Sequence, residues 1–144
     1  MNSKCPYFGG FKAKKNTDKY IAHIPSPCSF NHFIIVHKYG FQYLNLIFLN
    51  LDEIDWIEAA ANYVRLSVGK ESYLLRETIS RTSERLNPNE FIRIHRSVIV
   101  NVRKIKELIP VNSGEYIVVL KSGKELSCSR GYRALLQRVI ERNS

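Results

Sequence analysis

From Phe33 onward the chain breaks into short apolar runs, each closed by turn-forming residues. Residues 33–36 and 43–49 are apolar along nearly their whole length and predict two strands, with a third over 54–59. In residues 63–68 the pattern is cleaner: Val64, Leu66 and Val68 fall on one face, Arg65 and Ser67 on the other. That period of two predicts a half-buried strand. Gly69-Lys70 supplies a two-residue turn, and residues 71–75 return to complete a hairpin. Strands are predicted again over 91–95 and over the β-branched run Val98-Ile99-Val100. Residues 104–109 pair with 115–120 across a turn at 110–114, and Lys121-Ser122-Gly123 turns the chain into 124–128.

Two stretches change period. Residues 77–86 predict a short helix carrying Ile79 and Leu86, which Asn87-Pro88-Asn89 stops. Near 130–141, Tyr132, Leu135, Leu136, Val139 and Ile140 fall at i, i+3, i+4, i+7 and i+8, the stripe of an amphipathic C-terminal helix. Residues 1–31 show no such order: they hold Gly9-Gly10, a lysine run, Pro25 and Pro27. The expected organisation is a basic, flexible or partly ordered extension over residues 1–44 and a mostly β domain over 45–144. A chain of 144 residues suits one domain with a tail.

Composition narrows the function classes. The longest apolar candidate, residues 41–51, is interrupted by Gln42, Asn45 and Asn50, and no run reaches the ~20 residues that span a bilayer. The N-terminus shows no secretory pattern, so a cytoplasmic protein is expected, without membrane partners. Three cysteines cannot all pair, and none sits in a CxxC motif. Cys5, His23, Cys28, His32 and His37 are spaced too irregularly for a structural zinc site, so no metal or cofactor is expected.

The net charge of +9 predicts an anionic partner. Its distribution is uneven. Residues 1–45 hold six lysines and one acid, 46–90 five basic and eight acidic residues, and 91–144 eleven basic and four acidic. Asp52, Glu53, Asp55 and Glu58 therefore read as a solvated acidic turn facing away from a polyanion, with the last third facing it.

Catalytic constellations are missing. There is no G-x-S-x-G elbow, no Gly-rich phosphate loop and no H-E-x-x-H pair. His95 and Ser97 are near in sequence, yet no third group is in place to orient such a pair. A non-enzymatic protein is expected. Three polar segments at predicted strand ends carry more information: Asn62-Tyr63 with Arg65, His95-Arg96-Ser97, and Ser129-Arg130-Gly131-Tyr132-Arg133. Arginine pairs bidentately with guanine and asparagine with adenine, while hydroxyls and backbone amides grip phosphate. Ser129 also stands where a cap of the terminal helix would be. One such segment is an ordinary polar loop; three in a chain with this charge pattern point to DNA.

At these residues the chain resembles the LytTR DNA-binding domain family. Residues 51–68 (LDEIDWIEAAANYVRLSV), 73–86, 91–101 (FIRIHRSVIVN) and 114–136 match its motifs in family order, covering about residues 45–141. The resemblance implies an elongated stack of small antiparallel sheets without a helix-turn-helix, whose strand-end loops read successive major grooves. It implies base contacts at Asn62, Tyr63, Arg96 and Arg130. Phosphate contacts would fall on Arg65, His95, Ser97, Ser129 and Arg133. It further implies a bacterial transcription regulator on paired direct repeats of double-stranded DNA, with a homodimer possible on the site. Regulators of this family commonly carry an upstream receiver domain; the 44 residues before the match are too few for one, so none is expected. Cys128, next to Ser129, reads as a buried strand-end cysteine. The competing reading is a basic β-module that engages a protein or an anionic surface through its N-terminal extension.

Overall fold

The computed structural model describes residues 21–22, 33–39 and 44–143, with side chains from Ile47 to Arg142. Its strands are β1 (Ile21–Ala22), β2 (Phe33–Tyr39), β3 (Leu44–Asn50), β4 (Trp56–Ala60), β5 (Tyr63–Val68) and β6 (Glu71–Leu75). After helix α1 (Ile79–Arg85) come β7 (Phe91–His95), β8 (Val98–Asn101), β9 (Ile105–Pro110), β10 (Tyr116–Leu120) and β11 (Glu125–Cys128). Helix α2 (Arg133–Asn143) ends the chain. Eight strands form one sheet in the order β3-β2-β1-β6-β5-β4-β8-β7, and β11-β10-β9 form a second. All pairings are antiparallel except β1 with β6, so the expected mostly β class holds. Of the extension expected over 1–44, most lies outside the described residues, as do Cys5, His23, Cys28, His32 and the side chain of His37.

Two apolar cores flank one hairpin. Leu49, Ile54, Ile57, Val64, Leu66 and Leu75 form the first with Phe91 and Ile99. The second joins Val118, Leu120, Leu126 and Leu136 to Ile92, Ile94 and Val100. Strands β7 and β8 thus send alternate side chains into opposite cores. A strand buried on both faces reads as a continuous apolar run, which is the character of Phe91-Ile92 and Val98-Ile99-Val100. The β7–β8 turn, carrying His95-Arg96-Ser97, is therefore mounted on a hairpin that packs into both cores.

Local boundaries differ from expectation for identifiable reasons. Strand β4 begins at Trp56 rather than Ile54, because residues 51–53 close a 3-10 turn capped by the Asn50 side chain, which accepts from Asp52 N–H. Asp55 does not belong to a solvated acidic turn. It is 8% exposed, accepts the Gly69 N–H at 2.9 Å and lies 3.6 Å from Lys104. Gly69 has φ +59°, so this carboxylate fastens the β5–β6 turn where glycine is favoured. Helix α1 starts after Thr78, whose hydroxyl accepts from Arg81 N–H. In α2, Leu136 is buried while Leu135 and Ile140 are each 41% exposed. The apolar stripe is thus narrower than its periodicity predicts.

A buried ion pair supports α1. Glu77 and Arg85 approach to 3.3 Å with side chains 6% and 11% exposed. Burial raises the Glu77 pKa, opposed by Arg85, Arg81 and the Thr82 hydroxyl. A raised carboxyl pKa means that the folded chain holds this proton to higher pH than the unfolded chain. Its favourable contribution is complete at low pH and lost as pH rises through the raised value. Glu77→Gln removes that titration. The stability of the native chain relative to this variant is expected to be greater near pH 4 than near pH 7, by urea unfolding at both. An unchanged difference would contradict the assignment.

Candidate nucleic-acid interface

Backbone pairing brings the three polar segments together at one edge. Strand β4 lies between β5 and β8, and Ala59 N–H donates to the Ser97 carbonyl at 2.8 Å. The β4–β5 turn at Ala61-Asn62 is thereby set beside the β7–β8 turn. On the far side, Ser129 N–H donates to the Ile94 carbonyl at 2.9 Å, which seats the β11–α2 corner against the end of β7. Asn62, Arg96 and Arg130, separated by 34 residues each in sequence, thus occupy three adjoining corners. Strand spacing of about 4.8 Å puts the outer corners on the order of 15–20 Å apart.

Asn62, Arg96 and Arg130 are exposed, and Tyr63 is half-buried. Ala61 before Asn62 has φ +56°, the left-handed region that costs a residue with a Cβ, so strain is stored in the turn presenting Asn62. Among the described residues, neither the Arg96 nor the Arg130 guanidinium has an acidic partner, whereas Arg103 bridges Asp52 and Glu90 and Arg85 holds Glu77. Asp52, Asp55, Glu77 and Glu90 of the middle third are paired with Arg103, Lys104 and Arg85, away from the three corners.

His95 has a defined role within its turn. Its Nδ1 accepts the Ser97 N–H at 3.2 Å and lies 2.8 Å from the Ser97 hydroxyl. A backbone N–H can only donate, so Nδ1 is the acceptor and the proton of the neutral ring sits on Nε2. Ser97 closes the turn through these bonds, and Nε2–H is the ring's remaining donor. Ser129 begins the corner as a helix-start residue, but its side chain makes no capping bond. The capping expectation is therefore corrected: the Ser129 carbonyl accepts from Tyr132 N–H, and its hydroxyl is not used as a cap. Arg133 lies over the Tyr116 ring at 5.3 Å, and Arg65 pairs across β4–β5 with Glu58 at 2.5 Å. Arg65 is thus the one cation of the three segments already matched to a carboxylate.

Sequence reasoning passed over Arg93, which ties these corners together. Its guanidinium donates to the carbonyls of His95 and Arg96 and to the Ser80 hydroxyl of α1. Its Cζ lies 5.8 Å from the Tyr132 ring centroid. The available signal was its place in β7, where it is the one charged residue between Ile92 and Ile94 on a strand otherwise lined for two cores. Cys128 is buried, and burial with the nearby Glu115 carboxylate pushes its thiol pKa up, which keeps it in the unreactive protonated form. No helix among the described residues is long and apolar enough to cross a membrane.

The chain matches known proteins over this same region. The model of the LytTr DNA-binding domain family matches residues 45–141. The sensory transduction protein LytT of Bacillus anthracis is 25% identical over 96 residues, covering 67% of this chain and 39% of that protein. The transcriptional regulatory protein LytR of Staphylococcus aureus is 40% identical over 60 residues, covering 42% of this chain and 24% of its own. The chain therefore spans less than half the length of these relatives. A solved LytTr DNA-binding domain from Bacillus cereus superposes with a TM-score of 0.67 at 19% identity, covering 77% of this chain and 98% of that domain. The match of the family model over residues 45–141, two thirds of the chain, places this chain in the LytTr DNA-binding domain family.

Proposed function

We propose that this chain binds double-stranded DNA sequence-specifically as a non-enzymatic bacterial transcription regulator. The observation that carries the reading is the row of three adjoining corners with acid-free guanidinium groups at Arg96 and Arg130. A row of 15–20 Å exceeds the ~12 Å width of one major groove, so the outer corners address neighbouring grooves of one duplex face. Asn62, Tyr63, Arg96 and Arg130 read base edges in this arrangement. His95 through Nε2–H, together with Ser97, Ser129 and Arg133, holds phosphates. Arg65 joins them by exchanging Glu58 for a phosphate. The relatives named as transcriptional regulatory and sensory transduction proteins support the regulatory role. Two copies on paired direct repeats would double this contact row without a further protein element.

Selection of bound sequences from a random duplex pool at near-physiological salt tests the proposal. An enriched motif in two similar half-sites is the expected result, and a pool without enrichment would overturn sequence-specific binding. A second expectation separates phosphate from base contacts. Arg133→Ala should weaken all duplexes alike and reduce the slope of log affinity against log salt by about 0.9, the share of one phosphate contact. Binding isotherms at several salt concentrations check it; loss confined to one sequence would place Arg133 among the base readers.

A further inference from the structure

Behind the row of corners, α1 and α2 do not close over β7. A cavity of about 410 Å³ opens between them, within the size range of small-molecule sites. Four apolar residues are among its lining: Phe91 and Ile92 of the edge strand β7, each 5% exposed and turned to opposite cores, and Leu135 and Val139 of α2. Leu135, 41% exposed, is one of the residues that line this space. The rim is cationic, with Arg93, Arg138 and Arg142 all lining the opening and no carboxylate among the lining residues. Arg142 donates to the Asn89 side chain, and Arg138 has no partner among the described residues.

We propose that this cavity binds a small amphipathic anion, an apolar body carrying one carboxylate, and that its occupancy weakens DNA binding. The Leu135 and Val139 side chains of α2 hold the body of such a ligand but give nothing to a fully polar one. Guanidinium groups hold a carboxylate bidentately. Arg93 links the cavity to the interface. Its guanidinium already donates to the Arg96 and His95 carbonyls, so a carboxylate beside it competes directly for the donors that hold the β7–β8 turn. The ligand site stands on the cavity alone, whereas its effect on DNA rests on the proposed role of Arg96.

The test uses the full chain and decanoate as probe, below its aggregation concentration. Calorimetric titration without DNA should show saturable binding of decanoate, about tenfold or more weaker binding of decanol, and none of inorganic phosphate. Arg138→Gln should weaken decanoate binding, and Val139→Trp, which fills the cavity, should abolish it. Should Val139→Trp fail to fold, Arg138→Gln alone carries the comparison. Absence of saturation, equal binding of decanol, or indifference to both substitutions would overturn the site. On the selected duplex, decanoate should lower affinity several-fold in the native chain and less in Arg138→Gln. Decanoate binding that leaves duplex affinity unchanged would overturn the coupling. Failure to enrich any duplex would count against the DNA reading and leave the calorimetric result standing.

Discussion

Asn101→Leu is expected to lower the free energy of unfolding by about 2–4 kcal/mol, because it orphans the buried Ile54 carbonyl and the partly buried Arg103 N–H at once. The Asn101 side chain is 1% exposed at the end of β8. Its Nδ2 donates to the Ile54 carbonyl at 2.9 Å, and its Oδ1 accepts Arg103 N–H at 3.0 Å, capping the 3-10 turn into β9. Its own N–H donates to the Asp55 carbonyl at 3.1 Å. Leucine shares the branched shape of asparagine and opens no cavity, but its greater bulk in a 1% exposed site adds an overpacking cost to the lost hydrogen bonds. The penalty is the desolvation cost of groups left unpaired, which exceeds the net gain of an average hydrogen bond. Urea unfolding at neutral pH checks it. A loss under about 1 kcal/mol would mean that water reaches the orphaned groups.

The second large effect is on affinity rather than stability. Under the proposed readout, Arg96→Ala and Arg130→Ala each weaken the selected duplex by about 1–3 kcal/mol and relax base preference at one position. Neither side chain has an acidic partner among the described residues and both are exposed, so unfolding should be unchanged. That separation makes the test decisive, because a merely cationic surface would lose affinity equally for all sequences. Isotherms on the selected duplex and on single-base variants measure both terms. Intact affinity and preference in Arg96→Ala would remove the β7–β8 turn from base readout.

Much of the architecture was legible because its causes are local. Residues 63–75 alternate around Gly69-Lys70, and β5 and β6 pair in the corresponding register, Val68 with Glu71. The β10–β11 turn holds Gly123 at φ +89°, where Lys121-Ser122-Gly123 signals a turn. The three polar segments stood out through residue type at strand ends. What misled was reading side chains by composition. Asp55 looks like its acidic neighbours, but an amide donor from Gly69, 14 residues on, makes it a structural acceptor. Arg93 looks like a solvent-facing charge, yet its partners come from α1, the β7–β8 turn and the 3-10 turn that precedes α2. The stripe of α2 has the correct period, but how much of it is covered depends on how far β7 and α1 extend beneath it.

By itself, the amino-acid order determined the strand and helix segments, the turns between them and the three polar strand ends. Each is set by backbone preference and by which neighbours within a few residues share a face. Only the tertiary structure decided that β7 and β8 divide two cores, that Arg93 clamps the β7–β8 turn, and that the three corners adjoin. Those outcomes depend on pairings between distant segments, such as Ser129 with Ile94 and Ala59 with Ser97. Such pairings are chosen by the joint burial of both cores, and no local pattern encodes them.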